Sequence, residues 1–294
     1  VPRVLLATSA GPRIREHADD ALLLAALEAR SVVASIVAWS DPAVRWSDAD
    51  ACVLRSTWDY HEQPAAFLDW VRDAARATRL WNPPGVVAWN AHKRYLLDLA
   101  ARGVPIVPTR RLPAGGPVDL AAILAEEEWV DFVLKPAVGA SSAGVARGSA
   151  RELAAARAHA ERLLREGDAL LQPFVRSVAE EGEISVMFAG GRPTHAVRKV
   201  PRPGDHRANP ALGARVERVT ARPDTLAVAI AAVEAAPGPQ LYARADVVRC
   251  GDGSPALMEL ELIEPLLFLR EAPEAAEALA DALLDELAAQ APRP

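Results

Sequence analysis

LYARADVVRCGDGSPALMELELIEP, residues 241–265, holds two runs in which apolar and polar side chains alternate. Leu241, Ala243, Ala245 and Val247 alternate with Tyr242, Arg244 and Asp246; beyond a Gly-Asp-Gly turn, Met258, Leu260 and Leu262 alternate with Glu259 and Glu261. Period-two alternation on both sides of a turn predicts an antiparallel hairpin with one face on a core. Glu259 and Glu261 are two apart, so their carboxylates leave the same face. Asp246 joins them if it lies opposite one of them, which is expected to require an unbulged connection with an even number of residues. Carboxylates gathered this way repel unless a cation sits between them. Hard oxygen ligands suit Mg²⁺, and Mg²⁺ held by a few carboxylates usually carries a nucleotide's phosphates. Arg244, on the same face, suits a phosphate or a developing oxyanion. Alternating charge is also what a solvated polar face shows, so the hairpin alone leaves both readings open.

The 294 residues, 51% of them hydrophobic, allow two or three packed domains. A net charge of -6 gives no general attraction for nucleic acid, so no nucleic-acid partner is expected. Cys52 and Cys250 fall far apart inside predicted strands without metal-site spacing, which favours a reducing, cytoplasmic compartment. No run of 18 apolar residues and no leader pattern appear, so neither a membrane span nor a signal peptide is expected.

The first third alternates strand and helix: strand Val4–Ala7, helix Asp19–Arg30, strand Ser31–Trp39, strand Ala51–Arg55 and helix Pro64–Thr78. This βαβ order predicts a small, mostly parallel sheet whose ligands lie beyond the carboxyl ends of its strands. That places Ser9–Arg13 and the run Ser56, Thr57, Trp58, Asp59, Tyr60 at a binding edge. Ser9-Ala10-Gly11-Pro12 lacks the glycines of a dinucleotide fingerprint, which sets NAD binding aside. Leu80–Asn90 reads as a connection, followed by a helix at Ala91–Arg102 that Lys93 opens. Helix Val118–Glu127 precedes strand Phe132–Pro136 and a loop rich in Gly, Ala and Ser at Ala137–Gly148. Ser149 and Glu152 have capping-box spacing for a helix ending near Gly167. Ala169–Gln172 is a strand, Glu183–Phe188 and Thr194–Lys199 a hairpin, Pro201–Ala214 a polar, mobile loop. Helices are expected at Pro223–Ala236 and Pro273–Gln290.

Lys135 ends a strand before Val138-Gly139-Ala140-Ser141-Ser142-Ala143-Gly144, a small-residue loop whose backbone N–H groups can close over phosphates. Taken singly, these are also an ordinary lysine and an ordinary flexible loop. Their order is more specific. Lys93, Lys135 with the Gly-rich loop, Gln172–Val175, Glu183, Arg244-x-Asp246 and Glu259-x-Glu261 follow the linear layout of the ATP-grasp ligases, which residues 90–265 resemble. The resemblance implies an α/β and α+β chain with the ATP-grasp fold: a Rossmann-like N-terminal βαβ domain (1–90) and two α+β subdomains (91–173 and 174–294) clasping ATP. It further implies that Lys93, Lys135, Ser141, Ser142 and Gly144 meet the phosphates. Gln172, Phe174 and Val175 would meet adenine, and Glu183 the ribose. Asp246, Glu259 and Glu261 would hold Mg²⁺, although the family's last ligand is typically Asn where Glu261 stands. Arg244 would stabilise the transferred phosphoryl group.

Leu54–Tyr60, Asn90–Leu96, Lys199–Arg207 and Met258–Pro265 resemble the branch containing the cyclo-ligase of D-cycloserine biosynthesis, similar to glutathione-synthetase-type enzymes. A small-molecule carboxylate would then be activated as an acyl phosphate and captured by an amine, most simply as ring closure of O-ureido-D-serine. Lys199 and Arg207 are the candidates for the substrate carboxylate or departing phosphate, with Ser56, Thr57, Asp59 and Tyr60 as substrate contacts. His206 is read as an exposed loop residue rather than a base, and His195 as structural or substrate-facing rather than catalytic. An intermolecular amino-acid or peptide ligase, and a non-catalytic ATP-binding protein, are the alternatives. A homodimer is compatible with the family, and the residues themselves are silent on it.

Overall fold

The computed structural model describes residues 1–10 and 18–289. The expected contacts at Gly11–Arg13 and the helix end at Gln290 lie outside the described residues. The chain opens with β1 (Arg3–Thr8), α1 (Ala18–Glu28), β2 (Val33–Ala38), β3 (Ala51–Leu54), α2 (Pro64–Ala77) and β4 (Arg79–Trp81). Their strands form a parallel sheet in the order β2-β1-β3-β4. β3 is buried throughout, as expected where a parallel sheet is covered on both faces. α2 starts on Pro64 and turns Phe67, Val71 and Ala74 inward at helical spacing. Leu80–Asn90 is not a simple connection. Leu80 and Trp81 pair with β3, and α3 (Pro84–Asn90) starts on a proline that needs no intrahelical donor.

The helix expected from Ala91 begins at Tyr95 instead, as α4 (Tyr95–Ala101). Residues 91–94 turn, and the Lys93 N–H donates to the Ala137 carbonyl (2.7 Å), tying this turn to the Gly-rich loop. β5 (Arg110–Leu112), α5 (Leu120–Glu126), β6 (Asp131–Pro136), β7 (Ala146–Ser149), α6 (Leu153–Glu166) and β8 (Ala169–Pro173) follow. These strands make an antiparallel sheet, β5-β8-β6-β7, packed on α6 through Phe132, Leu134, Leu171, Ala160 and Leu163. The Gly-rich loop is shorter than expected because Ala146–Ser149 pairs with β6. The same pairing removes Ser149 from the helix end: Glu152 is the N-cap, without a side-chain cap bond, so no capping box forms.

The remainder supplies α7 (Arg176–Glu180), β9 (Glu183–Ala189), β10 (Arg192–Val200), β11 (Arg215–Val219), α8 (Pro223–Ala235), β12 (Tyr242–Arg249), β13 (Pro255–Glu261) and α9 (Glu274–Ala289). The antiparallel order is β11-β10-β9-β12-β13. Val228, Ala229, Ala232 and Val233 of α8 cover one face of β12 and β13. α9 packs on α1, so Leu23 and Leu27 share one core with Leu279 and Leu283. Cys52 is buried in β3, whereas Cys250 lies one residue past β12 and not within it. Among the described residues no helix is long and apolar enough to cross a membrane.

β13 is an edge strand: at Leu257 its outer backbone bridges to Pro105–Val107, and further along it is closed by side chains from residues 82–95. The Leu260 N–H donates to the Tyr95 hydroxyl (3.0 Å), and Asn90 donates to the Leu260 carbonyl (2.9 Å) while accepting from the Leu262 N–H (2.8 Å). Asn82 donates to the Tyr242 and Leu262 carbonyls (3.0 and 2.7 Å) and accepts from the Leu241 N–H (2.7 Å). These groups would otherwise be buried without partners, at a cost of about 1–3 kcal/mol each. The hairpin is thereby locked to the lysine-bearing turn.

Candidate active site

The hairpin brings its acids together by an unexpected route. Arg249 pairs with Pro255, leaving a five-residue turn, an odd number that would put Asp246 on the wrong face. A bulge between Asp246 and Val247 corrects this by leaving Met258 unpaired, so that Asp246 lies opposite Glu259 and Arg244 opposite Glu261. The expected unbulged, even connection is therefore wrong, although Asp246 reaches the expected face. Leu257, not Met258, is the core residue, and Met258 lines the cleft. The polar face is not solvated: Arg244 and Asp246 are 8% and 2% exposed.

That face forms one wall of a cavity of about 380 Å³ between the two antiparallel sheets, within the usual range for small-molecule sites. Its lining gathers Lys93, Lys135, Ser141, Ser142, Gln172, Phe174, Val175, Glu183, Lys199, Arg207, Arg244, Asp246, Glu259, Glu261 and Tyr60. Gly144 lies in the covering loop but not on the lining. Ser56, Thr57 and Asp59 do not reach the cleft. The Ser56 hydroxyl donates to Asp20 (2.6 Å), Thr57 is fully buried, and Asp59 accepts from the Trp39 indole (2.7 Å). Trp58 and Tyr60 line the cavity from this segment instead.

Protein cations meet the acid repulsion that the sequence alone assigned to a metal. Lys93 Nζ lies 2.5 Å from Glu259 and donates to the Gly139 carbonyl (3.0 Å). Lys199 Nζ contacts Glu183 (2.5 Å) and Asp246 (3.1 Å). The Arg244 guanidinium bonds both Asp246 oxygens (3.1 Å each), Glu261, and the Leu266 carbonyl (3.1 Å). Burial pushes the Asp246 carboxyl up, but Arg244 and Lys199 outweigh it and hold the group well below the usual carboxylate range. Burial raises Glu183 to about 7 despite Lys199 beside it. Lys135 differs from the other lysines. It is 6% exposed, makes no hydrogen bond or ion pair among the described residues, and is lowered by burial against the pull of Glu259.

Among the described residues no three acidic, histidine or cysteine side chains are grouped as a metal site, because Glu259 is turned to Lys93 and Glu261 to Arg244. The donor chemistry of Asp246, Glu259 and Glu261 still fits a hard divalent ion, all three offering carboxylate oxygen on one cleft wall.

Over the cleft, Ser141, Ser142 and Gly144 all take positive φ (54°, 61° and 71°), coiling the loop tightly enough for the Ala143 N–H to reach the Ala140 carbonyl (3.0 Å). The Asn209 amide donates to the Ser142 hydroxyl (3.3 Å), linking this loop to the Pro201–Ala214 segment. In that segment Asp205 accepts from the backbone N–H groups of His206 and Arg207 and from the Arg207 guanidinium. His206 is half-buried, its ring steeply inclined (69°) to that of Phe174 at 6.2 Å between centroids, and does not stand exposed as expected. Phe174 already carries the Arg147 guanidinium 3.9 Å over its ring. His195 is buried away from this cavity.

Asn82, Asn90 and Glu264 escaped sequence reading, and Trp58 was placed at the binding edge without being singled out as a contact. An asparagine set between apolar residues, as in Trp81-Asn82 and Trp89-Asn90, was the available sign of a buried polar group. Glu264 lies past the strand end, where period-two counting stops. It is 8% exposed, lines the cleft, and is raised to about 8 by burial and by Glu261.

Comparison with known proteins agrees with this geometry. Residues 4–82 match the family model for the D-cycloserine synthetase DcsG N-terminal domain, and residues 118–246 that for the prokaryotic glutathione synthetase ATP-grasp domain. The cycloserine biosynthesis protein DcsG of Streptomyces lavendulae is 37% identical over 278 residues, covering 90% of this chain and 92% of the relative. The crystal structure of D-cycloserine synthetase DcsG matches with a TM-score of 0.88 at 35% identity, over 97% of this chain and 99% of that one. The D-alanine–D-alanine ligase of Bacillus anthracis complexed with ATP shares the fold at 12% identity (TM-score 0.72, 98% of each chain). Fold and cleft thus define an ATP-grasp ligase, an enzyme that forms carbon–nitrogen bonds. Within that class, the chain belongs to the family of D-cycloserine synthetase DcsG.

Proposed function

We propose that this enzyme closes O-ureido-D-serine to D-cycloserine within one molecule, at the expense of ATP. The observation that carries the proposal is the relation to DcsG along 90% of the chain, which includes the N-terminal domain as well as the ATP-grasp core. Phosphoryl transfer needs positioning and charge neutralisation more than covalent help. Lys135, the buried cation without an acid partner, is assigned to the phosphates together with Lys93 and the loop carrying Ser141, Ser142 and Gly144. Gln172, Phe174 and Val175 are assigned to adenine and Glu183 to the ribose. Asp246, Glu259 and Glu261 would hold Mg²⁺, which when bound supplies positive charge at the phosphates.

The substrate carboxylate attacks the γ-phosphorus and ADP leaves, giving an acyl phosphate whose charge Arg244 stabilises. The nitrogen borne on oxygen then attacks the acyl carbon, the ring closes and phosphate departs. The product lacks the substrate's carbamoyl group, so completing the reaction takes up a water and releases carbon dioxide and ammonia. Lys199, fully engaged by Glu183 and Asp246, is better assigned to holding Asp246 than to touching substrate. Arg207 remains the candidate for the substrate carboxylate or departing phosphate, and Tyr60 and Trp58 the substrate walls.

Incubation with ATP, Mg²⁺ and O-ureido-D-serine, without any added amine, should release ADP in step with D-cycloserine, read by coupled ADP assay and mass spectrometry. ADP release only after a second amine is supplied would instead establish an intermolecular ligase, the reading that the glutathione synthetase match favours.

A further inference from the structure

Five carboxyl groups line the cleft, and four of them sit on a basic side chain: Glu183 and Asp246 on Lys199, Asp246 and Glu261 on Arg244, and Glu259 on Lys93. Glu264 is the exception. It has neither a hydrogen bond to its carboxyl group nor an ion pair among the described residues, although it is more than nine-tenths buried. A carboxylate taken out of water without a donor is unfavourable, and an arriving cation relieves that.

The segment that carries Glu264 is pinned. The Trp58 indole donates to the Glu264 carbonyl (2.9 Å), Arg55 to the Pro265 carbonyl (3.0 Å), and Asp19 accepts from the Leu267 and Leu269 N–H groups (2.8 and 2.9 Å). The Trp58 hydrogen bond sets Glu264 beside the aromatic part of the lining, which also includes Tyr60 and Phe268. Arg244 spans Glu261 and the Leu266 carbonyl, and Glu264 lies in the chain between those two contacts. Arg244 and Glu264 line the same cleft, so an amino acid whose carboxylate lies at Arg244 has its α-ammonium in a lining that includes Glu264.

We propose that Glu264 recognises the α-ammonium of an amino-acid substrate and so makes the enzyme select α-amino acids over plain carboxylic acids. This rests on the ring-closure reading above only for the identity of that amino acid. Trp58 and Tyr60 line the same cleft, and aromatic rings attract cations.

The test compares kcat/KM for O-ureido-D-serine with that for 3-(ureidooxy)propanoate, which lacks only the ammonium, in the wild type, Glu264→Gln and Glu264→Asp. The wild type should prefer the amino substrate on the order of 10- to 100-fold, the worth of one charged hydrogen bond. In Glu264→Gln that preference should collapse through a raised KM, while the deamino analogue is used nearly as before; Glu264→Asp should keep part of it. Equal losses on both substrates, or an undiminished preference, would overturn the assignment. If Glu264→Gln does not fold, a wild type indifferent to the ammonium overturns it equally. Should O-ureido-D-serine not be turned over, the ring-closure reading fails on its own. The ammonium assignment is then decided by melting-temperature shifts with α-amino acids against their deamino counterparts, equal shifts refuting it.

Discussion

Arg244→Met is expected to lower kcat for ATP-dependent turnover on the order of 10³-fold or more, with ATP still bound. Losing one fixed donor to developing charge costs 10²–10³-fold, and arginines on a transferring phosphoryl group contribute about 10³–10⁵-fold. In this enzyme Arg244 also neutralises Asp246 and Glu261, so its removal leaves two buried acids short of a partner. Arg244→Lys separates the two effects. A lysine restores a charge beside the acids but not the planar fork that reaches Asp246, Glu261 and the Leu266 carbonyl together. The lysine variant should therefore recover stability more fully than rate, with melting temperature and single-turnover kinetics read on the same preparations. A rate within ten-fold of wild type in Arg244→Met would remove this residue from the chemistry.

The second large effect lies outside the cleft. Asn82→Leu should destabilise the enzyme by about 3–6 kcal/mol, because the Tyr242 and Leu262 carbonyls and the Leu241 N–H would all lose a buried partner. A loss of that size lowers the melting temperature by roughly 10 °C in a chain of this length. Asn82 is fully buried and its amide joins both strands of the hairpin, so no water can replace it without opening the structure. A melting temperature within about 2 °C of wild type would mean that the edge of β13 is closed by something other than these side chains.

The contrast between Arg244 and Asn82 also marks what could be read before the fold was seen. Arg244, Asp246, Glu259 and Glu261 were legible because a strand's side chains alternate, and alternation survives in the sequence. The bulge at Met258 was not, since an odd turn and an unpaired residue cancel and leave the outer pattern intact. Asn82 and Asn90 act on residues about 160–180 positions away, and local pattern carries no trace of such a partner. The topological argument correctly brought the segment after β3 to the cleft, but side-chain direction there is set by tertiary contacts. Ser56 is drawn to Asp20 and Asp59 to Trp39, leaving Trp58 and Tyr60 to face the cavity. The ion pairs of Lys93 and Lys199 were hidden for the same reason: each joins residues on different elements, and their effect is to balance acids that sequence alone could balance only with a metal.

The central claim is that this cleft activates a carboxylate by phosphorylating it. O-Ureido-D-serine labelled with ¹⁸O in its carboxyl group, turned over with ATP and Mg²⁺, should deliver one labelled oxygen to each molecule of inorganic phosphate, measured by mass spectrometry. Product formed with all of the phosphate unlabelled would contradict an acyl phosphate, and with it the roles assigned here to Arg244 and the acids of the hairpin.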